Sequence, residues 1–290
     1  MFRLCSERTV RSDELGAPRG YPARPLNAAL RSGLSLIELV FAVAILAMVA
    51  GTLQTVASAV HVAFGYTEGH GLATQHARVV LDRIRATTLQ ATANEQFPGF
   101  IVVADTVGSY QYPETLVVWH PTGAPANPTG LPQFNELVIY CPSSASPNQL
   151  LEITLPTNTG TVPAASDQAS WSSQIAALKK NPPCTSVLLT DLVRTCPVSG
   201  SSGAWRGAVR FQSRSLPSDA AYSQYKAGTL AWKQLPWVQG IRGSTTALRQ
   251  VWLRTEIQLM PGAGIPGEIA AQEQPDTYFG STSLYYEMHQ

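Results

Sequence analysis

Glu38 is the side chain whose surroundings demand an explanation first. It is the one charged residue between Leu34 and Leu53, a stretch of 20 residues in which Ser35 and Thr52 are the other polar exceptions. A carboxylate at the edge of an apolar span is costly unless a positive charge meets it, so such residues are usually functional. Glu38 therefore points to charge pairing rather than catalysis. The remaining reactive types show no comparable pattern. There is no GxSxG, HExxH, P-loop or GxGxxG string. His61, His70, His76, His120 and His289 are scattered and are expected to be ordinary surface or half-buried side chains. Asp105, Glu114 and Glu136 fall near the ends of predicted strands; they could be paired carboxylates, but solvation at loop edges is the expected state. Glu273 and Asp276 are too sparse for a calcium loop. No metal and no cofactor is expected.

The four cysteines are Cys5, Cys141, Cys184 and Cys196, without a CxxC or zinc spacing. Net charge is +1 and no basic run marks a nucleic-acid footprint, so no nucleic acid is indicated as a partner. Charged residues are only 13%, against about 25% in ordinary soluble domains. Ser, Thr, Asn and Gln must then supply much of the polar surface, which fits an exported domain.

The element that carries Glu38 is set by length and flanks. From Leu39 to Ala50 there is no polar side chain. At about 1.5 Å per residue, Leu34 to Leu53 spans the roughly 30 Å hydrocarbon core as a helix. A buried core helix would account for the apolar run but not for its place directly after a basic leader. That leader, residues 1–33, holds six arginines against three acidic residues, a net charge of +3. Arginine excess beside an apolar helix keeps that flank cytoplasmic. An ordinary secretory signal would be cut after the apolar region, where Ala57-Ser58-Ala59 offers a small-residue site.

The string Gly33-Leu34-Ser35-Leu36-Ile37-Glu38-Leu39-Val40 resembles the cleavage and methylation motif of the type IV prepilins. The resemblance covers about residues 31–95. It implies that a membrane peptidase cuts after Gly33 and that the same enzyme methylates the new amine on Leu34. Glu38 is then the fifth mature residue, as in that family, while Leu34 stands where the family usually has Phe. The resemblance also implies that Glu38 sets assembly register by pairing with the N-terminal amine of a neighbouring subunit.

Beyond the anchor, Ala73, Ala77, Val80, Leu81, Ile84, Thr88 and Ala91 recur at three- and four-residue steps and share one helical face. Arg78, Asp82 and Arg85 sit off that face at spacings that allow weak side-chain pairs. Gly65, Gly69 and Gly71 predict a bend or a locally melted stretch between the two halves. After Phe97-Pro98-Gly99 the period changes to short β-rich runs: 100–104, 115–119, 136–140 and 150–155. Arg249 to Met260 alternates most clearly, with Val251, Leu253, Thr255, Ile257 and Leu259 on one face. Asp167 could cap a helix through Trp171 to Lys179, an insertion that, like the Cys184–Cys196 region, reads as decoration. The tail beyond Pro261 reads as loop plus a final aromatic segment, 278–286. The six tryptophans are expected mainly in the core, although Trp is enriched at contact surfaces.

The expected fold is α+β: a long N-terminal helix, membrane-spanning over 34–60 and amphipathic over 61–95, packed on an antiparallel sheet within a β-rich exported domain, 96–290. That layout is also what the pilin resemblance implies. With everything after the anchor outside the cytoplasm, Cys184 and Cys196 are expected to form a disulfide, each beside a proline. Cys141 is then the odd thiol and the competing partner. The function expected is a non-catalytic minor pilin or pseudopilin of a type IV pilus or type II secretion-like filament. Its partners would be the prepilin peptidase/methyltransferase, other pilin or pseudopilin subunits and inner-membrane lipid. The rival is a membrane-anchored exported enzyme or binding protein, marked by a convergent polar site in a pocket. A DNA-uptake component would need a basic stripe, which the sequence does not show.

Overall fold

The structure is a computed structural model that describes residues 35–181, 185–198, 205–261 and 275–290. The helix α1 spans Leu36–Leu89, and β1 (Phe100–Val107), β2 (Tyr110–Trp119), β3 (Leu137–Pro142) and β4 (Leu150–Thr154) follow. Next come α2 (Gln168–Lys180), β5 (Val187–Thr190), β6 (Thr195–Pro197), β7 (Trp205–Gly207) and β8 (Val209–Leu216). The chain closes with α3 (Asp219–Lys226), β9 (Thr246–Leu259) and β10 (Asp276–His289). All pairing is antiparallel: a five-stranded sheet in the order β1-β2-β3-β4-β5, a three-stranded sheet β10-β9-β8 and the ribbon β6-β7. The fold is therefore α+β, with a long helix against antiparallel sheets.

The chain divides into two compact units after Ala57. In the first, every described residue from Ser35 to Ala57 is exposed, and most are apolar. Leu36 to Ala57 rises about 33 Å, enough to cross the hydrocarbon core, and this is the one helix among the described residues long and apolar enough to do so. Gly65, Gly69 and Gly71 lie inside α1, which continues through them without a melted stretch. A single glycine costs a helix only about 1 kcal/mol, less than the neighbouring turns recover.

In the second unit, Ala73, Ala77, Val80, Ile84 and Thr88 are buried, as the period predicts, together with Thr87. Their apolar members share a core with Phe100, Leu116, Tyr140, Phe211, Val251 and Leu253, drawn from both larger sheets. The opposite face of the five-stranded sheet packs a second core of Ile101, Val103, Val117, Trp119, Ile139 and Ile153 with Trp171 and Ile175 of α2. With both faces covered, β1 to β4 must be apolar at consecutive positions, which is why they read as short continuous runs.

The α2 segment is thus a structural layer, not decoration. Asp167 does cap it, accepting from Ser170 N at 3.1 Å. Nor is the region before Cys196 decoration, because β5 completes the sheet on β4. β9 shows the expected alternation, burying Val251, Leu253, Thr255, Ile257 and Leu259. The aromatic tail becomes β10, which pairs with β9 over 14 residues without a break in register.

Candidate functional site

At the start of α1, Glu38 and Ser35 bind each other reciprocally. The Glu38 carboxylate accepts from Ser35 N at 2.9 Å and from Ser35 Oγ at 3.1 Å, while Glu38 N donates to Ser35 Oγ at 3.3 Å. This is the arrangement of a capping box, which satisfies amides left free in the first helical turn. Ser35-Leu36-Ile37-Glu38 has the S-x-x-E spacing that signals it, so the role of Ser35 is legible in the sequence itself. Glu38 thus has a local partner for its oxygens. That partner carries no charge, and the carboxylate still has no cation among the described residues of its unit. Gly33 and Leu34, the expected processing residues, lie outside the described residues.

The second concentration of charge lies in the second unit, and it corrects an expectation. Asp105 and Glu114 are not solvated at loop edges. Glu114 is buried and Asp105 half-buried around Lys179 and Arg206: Lys179 Nζ donates to Asp105 Oδ2 at 2.9 Å and to Glu114 Oε1 at 2.8 Å. Arg206 Nη1 donates to Asp105 Oδ2 at 3.1 Å and also to Glu114, and its guanidinium lies 4.9 Å from the Tyr112 ring centroid. The Lys179 side chain is 4% exposed. Burial alone would raise the Asp105 carboxyl, but Lys179 and then Arg206 hold it below the usual carboxylate range. Arg206 is pushed up: burial opposes its charge, and Glu114 and Asp105 more than compensate. Two cations and two anions from α2, β7, β1 and β2 thus form a balanced set that ties four elements together. Sequence reasoning missed it because the pairs are 65 to 101 residues apart.

Glu136 is also buried rather than solvated. It accepts from Ala126 N at 2.6 Å, Gln133 N at 2.9 Å and Trp119 Nε1 at 3.3 Å, and so pins the Pro-rich loop over 121–133. Arg78, Asp82 and Arg85 form no ion pair among the described residues. The charge that docks α1 is Arg83, whose Nε and Nη2 each donate to Glu152 of β4 at 2.8 Å. That fork pulls the Glu152 carboxyl down and pushes Arg83 up. Beside it Thr87 and Tyr140 share a hydroxyl bond of 2.8 Å.

The histidines stay scattered. His70 Nδ1 is 2.6 Å from Asp276 Oδ2, His76 meets Thr190 at 3.0 Å and His120 meets Gln90 at 3.0 Å. Among the described residues no group of three His, Cys, Asp or Glu side chains could hold a metal ion. Glu273 and Cys184 lie outside the described residues. Cys141 is fully buried in the second core, and burial pushes its thiol up to about 12. Cys196 is half-buried on β6. Four of the six tryptophans, Trp119, Trp171, Trp232 and Trp237, are core residues, while Trp205 is 54% exposed.

No family model, curated protein or solved structure matches the chain.

Proposed function

We propose that the chain is a non-catalytic minor pilin or pseudopilin subunit of a type IV pilus or type II secretion-like filament. It is cut after Gly33, methylated on Leu34 and assembled through α1. One observation carries this reading: a single helix of 54 residues is apolar and wholly exposed from Leu36 to Ala57, yet buries a defined face from Ala73 to Thr88 against antiparallel sheets. An exposed apolar surface of this extent needs lipid or other helices around it. The Gly33-to-Glu38 string supplies the processing and register elements. The prepilin peptidase/methyltransferase, other pilin-like subunits and inner-membrane lipid are the partners, with residues 1–33 cytoplasmic and the unit from Ser58 onward exported. The long loops and α2 enlarge the exported unit, which suits a subunit present in few copies better than one that must repeat tightly.

Intact-mass and N-terminal peptide measurement on protein from cells carrying the peptidase tests the proposal. The expected species begins at Leu34 with one added methyl group. A chain that keeps residues 1–33, or one cut beyond Ala57, would sink it.

A further inference from the structure

The sheet edges of the second unit are not equally protected. An open edge presents unpaired N–H and C=O groups to any other strand, so proteins blunt edges with bulges, charges, proline or short length. β1 is irregular between Val103 and Asp105, and β5 has only 4 residues. β8 carries Arg210 and Arg214 and ends against Pro217. β10 has neither a bulge nor a proline, and its two acids, Asp276 and Glu287, sit toward its ends. It runs 14 residues in unbroken register, contains no Lys, Arg or Pro, and among the described residues pairs with β9 alone.

Along this edge lies a groove of about 430 Å³ between α1 and β10. It touches five consecutive β10 residues, Tyr278 to Thr282. Successive strand side chains point to opposite faces, so a groove that meets five in a row follows the backbone itself. Gly280 sits at its middle, where a Cβ would come within 3.0 Å of Leu81 Cδ2, so the missing side chain lets the helix approach the strand closely there. Thr282 Oγ1 is buried there without a hydrogen-bond partner. The helix wall carries Arg78 and Arg85 against one acid, Asp82, and none of the three is in an ion pair among the described residues.

We infer that this groove receives an extended segment of a partner polypeptide, which adds to the β10 edge and places a carboxylate on Arg78 or Arg85. Backbone pairing supplies the affinity, and the two arginines select an acidic strand over a basic one. The surface lies in the second unit and does not depend on how Gly33 or Glu38 is used.

The test uses the full chain in detergent and two fluorescent peptides of about ten alternating Val and Thr residues with capped ends. One peptide carries two central glutamates, and the other carries lysines at the same places. The glutamate peptide should bind about tenfold more tightly, and it should slow amide exchange at Gly280 to Thr282. In the Arg78→Ala/Arg85→Ala double variant, whose substitutions are both exposed, that preference should fall to about twofold or less. Failure of both peptides to bind, equal binding by the two, a preference that survives in the double variant, or protection elsewhere in the chain would each overturn the inference.

Discussion

Replacing Lys179 with methionine removes one charge from the buried set while keeping most of the aliphatic stem. In the native arrangement Lys179 Nζ serves Asp105 at 2.9 Å and Glu114 at 2.8 Å. After the change two carboxylates, with side chains 14% and 6% exposed, would share Arg206 alone. One negative charge is then left uncompensated where both carboxylates are largely withdrawn from solvent. Breaking a buried pair in this way costs about 3–5 kcal/mol, whereas an exposed pair costs about 1 kcal/mol or less. For a unit of this size that corresponds to a fall in Tm of about 6–20 °C. Tryptophan fluorescence on thermal or urea denaturation follows it directly, because Trp171 lies buried on the same helix. Adding Glu114→Gln to Lys179→Met rebalances the set, leaving Arg206 with Asp105, and should recover about half of the loss. A loss below about 1 kcal/mol for the single variant, or no recovery in the double variant, would refute the view that α2 is tied into the fold by this charge set.

Four further outcomes are expected. Gly33→Val should accumulate at the unprocessed mass, since a branched side chain hinders backbone approach to the peptidase; normal processing would argue against the cleavage site. Glu38→Ala should be cut normally yet fail to co-purify with sheared filaments, while Ser35→Ala, which loses only the capping partner, should be recovered far better; equal recovery of the two would reduce Glu38 to a helix cap. Asp105 and Glu152 have native carboxyls below their ordinary range, so their contribution to stability is complete above roughly pH 4 and is lost as pH falls through the lower native values. Urea titrations at a series of acid pH values should show that slope, and Arg83→Met should flatten the Glu152 part of it. Non-reducing peptide mapping should find Cys184 joined to Cys196, with Cys141 modified only after denaturation because it is fully buried; a Cys141 link would overturn the pairing.

Local pattern was enough for much of this molecule. A 20-residue apolar stretch is long enough, as a helix, to cross a hydrocarbon core, and that length is legible without the remainder of the chain. The 3.6-residue period from Ala73 to Thr88 fixed which face of α1 is covered, and the two-residue period from Val251 to Leu259 fixed the buried face of β9. Asp167 announced α2 because capping is a contact over three residues. The capping box of Ser35 and Glu38 was equally local, and the spacing displayed it.

What the tertiary structure alone decided were contacts between residues far apart in the chain. Asp105, Glu114 and Glu136 have the composition of solvated loop-edge acids, and nothing within ten residues of them reveals a buried cation. Lys179 arrives 65 residues after Glu114 and Arg206 arrives 101 after Asp105, so only the packing of α2 and β7 on the first sheet makes burial of those carboxylates affordable. The same holds for Arg83, which looks like any exposed helical arginine until β4 brings Glu152 to it. β10 was readable as aromatic, but its length and its open edge depend on a 14-residue register with β9, and sequence period carries no record of which strand lies beside which.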